Sequence, residues 1–194
     1  MKKLFLYLLV SLSPCLLAPI SLDAQEKKSE PIKPALVVID VQKAFIQMVE
    51  EREKAIAFSM INEYISMFRK NGFPVIFVLH SSEAYGLVPG IPEYEFVDEI
   101  PIQDSDIRVI KTYPNAFTKT ELDKVLKENG INTLFLCGLS SVGCVLATWF
   151  GAKDYDYKAF LLKYALMSHD ANYTDQIEII FGALEMEAVE VMVE

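Results

Sequence analysis

Ala35-Leu36-Val37-Val38-Ile39-Asp40 is an unbroken apolar, mostly β-branched run that ends on an acid. Five apolar residues without polar alternation fit a strand buried on both faces, the kind found inside parallel sheets. Similar runs recur further along the chain. They are Val75–Leu79 (VIFVL), Ile107–Ile110 (IRVI), Thr133–Cys137 (TLFLC), Ala159–Leu162 and Ala188–Met192. Helical patterns alternate with them. Ile56, Met60, Ile61, Tyr64, Ile65 and Phe68 share one helix face, and Asn71-Gly72 stops that helix. Further helices are expected over 118–129, 142–153 and 174–185. The alternation predicts an α/β fold, a three-layer α/β/α arrangement around a six-stranded parallel sheet. Residues 80–104, with Pro89, Gly90, Pro92 and Pro101, read as one long loop.

The chain has 194 residues, 52% hydrophobic and 23% charged, enough for one domain with a buried core. Its formal charge of −9 argues against a nucleic-acid partner and against peripheral binding to anionic lipid. The first 24 residues read separately. Lys2 and Lys3 precede an apolar stretch from Leu4 to Leu17, and Ala24 offers a small residue before Gln25. That is the layout of a secretory signal peptide. The expected organisation is therefore a signal peptide over 1–24, a polar linker over 25–32 and one domain over 33–194. On this reading the mature protein is periplasmic or secreted and has no membrane insertion after cleavage. Leu12-Ser13-Pro14-Cys15 loosely resembles a lipobox, which makes lipid anchoring at Cys15 a secondary expectation. Two cysteines, Cys137 and Cys144, then remain.

Chemistry collects at strand ends. Asp40 follows the first strand, Lys111 the third, and Cys144 lies just beyond the fourth. Ligands of open α/β sheets bind outside the carboxyl ends of the strands, so three such groups can share one crevice. Cys144 sits in Gly138-Leu139-Ser140-Ser141-Val142-Gly143-Cys144-Val145, a glycine-bounded turn leading into a helix. Unpaired N–H groups at a helix start, and a nearby cation, favour a thiolate and can receive an oxyanion. Cys137, inside an apolar strand, reads as a structural cysteine. Taken singly, Asp40 reads as a turn or cap residue and Lys111 as a surface lysine. Together with the thiol they read as a site.

Three stretches resemble the isochorismatase-like cysteine hydrolases, the superfamily that includes nicotinamidases and N-carbamoylsarcosine amidohydrolases. They are Ala35 to Phe45 (ALVVIDVQKAF), Val109 to Phe117 (VIKTYPNAF) with Thr120 and Leu122 following, and Gly138 to Val145 (GLSSVGCV) with Thr148 and Ala152 following. The resemblance places the family's Asp–Lys–Cys triad on Asp40, Lys111 and Cys144. It also places a cis peptide at Leu139–Ser140, with backbone N–H groups around Leu139, Ser140 and Cys144 as an oxyanion hole. It implies a small-molecule substrate, a thioester intermediate in C–N bond cleavage and a homo-oligomer; no cofactor is expected.

Departures from the family bear on substrate. Nicotinamidases carry an Asp-x-His and a further His after the second strand as metal ligands. This chain reads Val78-Leu79-His80-Ser81-Ser82 there and holds only His80 and His169. That set is inadequate for zinc, so no metal is expected. Tyr164-Ala165 replaces a common Asp-Ala after the fifth strand. Phe45, His80, Tyr113 and Phe117 lie near the same strand ends and are the candidate substrate contacts, although each could equally close the core. Two other readings stand beside the amidohydrolase. One is an enol-ether hydrolase of the isochorismatase type, which has no need of a thiol. The other is a non-catalytic or redox-responsive binding protein on the same fold, which oxidation of Cys144 or its pairing with Cys137 would favour.

Overall fold

The computed structural model describes residues 30–194. The expected signal peptide, Cys15 and most of the linker lie outside the described residues. Pro34–Ile39 forms β1, Lys43–Ile46 a single-turn α1, Glu51–Lys70 α2, Val75–His80 β2 and Ile107–Lys111 β3. Leu122–Glu128 forms α3, Thr133–Leu139 β4, Leu146–Asp154 α4 and Lys158–Met167 β5. Ala171–Ile180 forms α5 and Met186–Val193 α6. The five strands are all parallel and pair in the order β3-β2-β1-β4-β5.

Alternation along the buried strands divides the core in two. Leu36 and Val38 face a cluster with Tyr64, Ile65 and Phe68 of α2 and Val189 and Val193 of α6. Ala35, Val37 and Ile39 face the opposite cluster, with Leu122 and Leu126 of α3, Ala152 of α4 and Ile177 of α5. Period-2 geometry requires this split, and it produces the three layers.

The sheet has five strands rather than six. Residues 188–192, expected as the last strand, belong to α6. Val189 and Val193, four apart, are buried there while Val191 lies exposed, which is helical spacing. A short β-branched run does not by itself separate the two states. The sheet edge keeps one trace of a sixth member, a parallel bridge between Leu162 and Leu184. β5 is also longer than expected, because a register shift against β4 absorbs residues 162–165 and turns Tyr164 to φ 61.

The 80–104 excursion is anchored. It contains two short helical turns, Glu83–Tyr85 and Pro92–Tyr94, and buries Leu87, Tyr94, Phe96, Val97 and Ile100 in the α2-side core.

Candidate active site

The strand order places its switch at the carboxyl ends of β1 and β4, where the chain leaves one half of the sheet for the other. Asp40 is the first residue beyond β1. Its φ of 53 turns the chain out of the sheet, a conformation that Asp tolerates better than most side chains. Its own N–H still donates to Val78 O at 2.9 Å. Next to it, Gly138 of β4 runs so close to β1 that a Cβ would lie 2.2 Å from Ile39 O. Only glycine fits there, and its φ of 109 suits no other residue.

Lys111 ends β3, two strands from β1 and therefore about 10 Å away. Its long side chain crosses over the end of β2, where His80 is its register partner. Nζ reaches Asp40 Oδ2 at 2.7 Å, Cys144 Sγ at 3.2 Å and His80 Nδ1 at 3.2 Å. An ammonium has three protons, and these three partners use them all. Asp40 and Lys111 are 2% and 1% exposed. Because Lys111 can only donate, His80 Nδ1 accepts and the ring proton sits on Nε2. Burial, then the Lys111 charge, holds His80 below its ordinary pKa and neutral.

Cys144 sits in the turn Ser141–Val145 that precedes α4, after a cis Leu139–Ser140 peptide. Gly143, at φ −124 and ψ −108, breaks the helical path, so the thiol lies ahead of α4 rather than in its first turn. Gly143 N and Val145 N both donate to Ser140 O and are committed inside the turn. A thiol at a helix start beside a cation is expected to favour the thiolate. Instead, burial first, then the Asp40 charge, push the Cys144 thiol up to about 11, against the opposing pull of Lys111. Burial also raises the Asp40 carboxyl above its usual range, opposed by the charge and hydrogen bond of Lys111. Burial thus favours the neutral form of both Cys144 and Asp40, against the pull of Lys111, and Asp40 Oδ1 is buried and without a hydrogen-bond partner.

A cavity of about 200 Å³ opens on these groups, lined by Asp40, Phe45, Met48, His80, Leu139, Ser140 and Cys144. Phe45 and His80 meet edge-to-face across it, ring centroids 6.0 Å apart. Two of the candidate contacts lie elsewhere. Phe117 is buried in the α3-side core, stacked on Tyr155 at 5.0 Å. Tyr113 is half-exposed and accepts a hydrogen bond from Lys119 at 3.0 Å. Met48 lines the cavity unanticipated. So does a support for His80. Gln42 is fully buried, donates to His80 O and Tyr94 O, and accepts from His80 N at 2.7 Å. Its place two residues after Asp40, in a strand-end motif with no apolar requirement for an amide, was the available signal.

A second support lies behind the Cys144 turn. Ser141 Oγ lies 3.2 Å from Thr174 Oγ1 of α5. Thr174 in turn donates to Glu53 Oε1 of α2 at 2.6 Å and lies 3.2 Å from Ser168 Oγ. Cys137 is buried on the α2-side core and Cys144 packs against the other, so the sheet separates them and both thiols are free. Among the described residues no three His, Cys, Asp or Glu side chains are grouped to hold a metal ion.

Parallel sheet order and a cysteine turn at the strand ends are features of the isochorismatase-like hydrolase family. Residues 34–183 match the Isochorismatase domain, and the chain belongs to that family. The chain is 33% identical over 147 residues to the uncharacterized isochorismatase family protein YwoC of Bacillus subtilis (strain 168), covering 68% of this chain and 72% of that protein. It is 39% identical over 101 residues to the ureidoacrylate amidohydrolase RutB of Caulobacter vibrioides, covering 50% of this chain and 45% of that one. Among solved structures it resembles N-carbamoylsarcosine amidase from Thermoplasma acidophilum at 28% identity and a TM-score of 0.66, covering 79% of this chain and 95% of the other.

Proposed function

We propose that this chain is a metal-independent cysteine hydrolase that cleaves a C–N bond, amide or ureido, in a small molecule. The observation that carries the reading is the contact of Lys111 with both Asp40 and Cys144 inside one cavity, with Asp40 Oδ1 left free to take a proton. Relatives that cleave such bonds, an ureidoacrylate amidohydrolase and an N-carbamoylsarcosine amidase, support it. The donor set supports the absence of a metal, since one carboxylate and one imidazole both face the same ammonium.

Asp40 accepts the Cys144 proton as Sγ attacks the carbonyl carbon. This is general-base delivery of a neutral thiol, suited to a thiol whose pKa lies well above neutrality. Backbone N–H groups of the Cys144 turn other than those of Gly143 and Val145 receive the developing oxyanion. Asp40 then gives the proton to the leaving nitrogen, the C–N bond breaks, and an acyl thioester remains on Cys144. A water, deprotonated by Asp40, attacks the thioester, and the acid leaves as Sγ regains its proton. Lys111 keeps its charge throughout and holds Asp40 and Sγ in register. His80 Nε2–H and the Phe45 ring contact the substrate. The enol-ether alternative leaves the thiol without a task, and the separation of Cys137 from Cys144 by the sheet removes the pairing that a redox-responsive binder would use.

The test is ammonia release and acid formation over a panel of small amides and ureido compounds, with trapping of the acyl-enzyme by mass spectrometry. Cys144→Ala and Cys144→Ser abolish both signals if the reading holds. Full turnover by either variant on a confirmed substrate overturns it.

A further inference from the structure

The cavity at Cys144 has a larger neighbour. A second cavity, of about 520 Å³, shares Phe45 and His80 with the first and continues under the 80–104 excursion. Its remaining wall includes Gln47, Ser82, Tyr85, Leu87, Ile91 and Glu93. The small cavity accommodates little beyond a reacting amide, so a substrate that fills both has a body lying past the Phe45–His80 pair.

The charges around this path point one way. Neither cavity is lined by Lys or Arg; Lys111, behind the first, spends its three protons on Asp40, Cys144 and His80, and Lys43, next to Ala44 of the second, is paired with Asp98. His80 is neutral. The remaining charged lining residue is Glu93, exposed at the rim. Residues 81–104 hold six carboxylates (Glu83, Glu93, Glu95, Asp98, Glu99 and Asp104) and no Lys or Arg. A carboxylate entering this space would lose water without gaining a cationic partner, and that is costly.

Resting on the amidohydrolase reading, we infer that the substrate is an amide or ureide with an extended, non-anionic tail lodged in the second cavity, and that an amine at the end of the tail fits best, against Glu93. Ureido acids such as the ureidoacrylate named in its RutB relatives are excluded on this basis. The aliphatic part of the tail lies against Leu87, Ile91 and the Tyr85 ring. Its cationic end meets an exposed carboxylate, so the charge contribution is modest and sensitive to salt.

The experiment uses three amides with the same four-methylene spacer: 5-aminopentanamide, hexanamide and the monoamide of adipic acid. Binding to the Cys144→Ala and Cys144→Ser variants of the full chain is read by ligand-detected NMR, so the subsite is tested without chemistry. The expected order of affinity is amine, then methyl, then carboxylate, with the carboxylate at least about tenfold weaker than the amine. Adding Glu93→Gln lowers the amine-to-methyl ratio about three- to fivefold. A carboxylate member that binds as tightly as the amine overturns the inference, and so does absence of binding by all three to both folded variants. Turnover by the unmutated chain is scored separately. If the binding order holds and no amide is hydrolysed, the hydrolase reading fails while the subsite stands.

Discussion

Lys111 Nζ and Asp40 Oδ2 lie 2.7 Å apart with both side chains withdrawn from solvent. Attraction at that distance offsets the desolvation of both charges only while both are present. Lys111→Met therefore strands a buried carboxylate and costs about 3–5 kcal/mol of stability at pH 7, read by urea unfolding. The pair variant Asp40→Asn with Lys111→Met recovers much of that loss while remaining inactive. A single Lys111→Met as stable as the parent would show that the pair is hydrated in solution.

The thiol titration follows from the same ion pair. Burial and the Asp40 charge favour the neutral form, so alkylation of Cys144 by iodoacetamide keeps accelerating through pH 9 and 10, with an apparent pKa near the 11 expected for the site. Asp40→Asn removes the negative charge beside Sγ, so the apparent pKa falls. An apparent pKa below the ordinary ~8.5 in the parent protein would contradict the resting state described above.

Thr174 connects Ser141 of the Cys144 turn to Glu53 of α2. Thr174→Val leaves both partners short of a hydrogen bond and loosens the turn that aims Cys144. The expected result is a kcat lower by about tenfold with KM little changed. Thr174→Ser keeps the hydroxyl and restores kcat. A purely structural role would lower stability in the valine variant without this split between kcat and KM.

Glu178 sits below the β5 bulge, 7% exposed, and accepts from Tyr164 N at 2.7 Å. Burial first, and then Asp175, raise its carboxyl to about 7, against the Tyr164 hydrogen bond and Lys163. Its unfolded value is near 4.3. Between that value and about 7 the unfolded chain releases the proton and the folded chain keeps it, so this group's contribution to stability is lost as pH rises through the window. Glu178→Gln preserves an acceptor for Tyr164 N and removes the slope. The variant is expected to be more stable at pH 8 by on the order of 1–2 kcal/mol and equal to the parent at pH 4, measured by thermal melts.

Much of this was legible in the chain itself. Apolar runs such as Ala35–Ile39 and Val75–Leu79 specify buried parallel strands because no face of them tolerates water, and Asp40, Lys111 and Cys144 stand out as polar groups at the ends of such runs. The helix 51–70 follows from spacing alone. Residues 188–192 form a short β-branched run with no period long enough to separate strand from helix, and the helix is set by what α6 packs against. Phe117 and Phe45 are the same residue type at similar places in their motifs. One closes the core and the other lines the cavity, a difference settled by which neighbours each ring meets.

Hydropathy along the chain locates the five parallel strands and the polar residues at their ends, but it adds a sixth that folds as α6. How those ends combine is fixed only by the folded sheet. Strand order puts β2 between Lys111 and Asp40, so that the lysine must reach across His80 and spends every proton on the way. That geometry leaves the thiol neutral, the imidazole neutral and the cavity without a free cation. The physical reason is distance in the chain. Hydropathy and periodicity act between near neighbours, whereas the charge state of this site depends on contacts between residues 40, 80, 111 and 144, which only the folded sheet brings together.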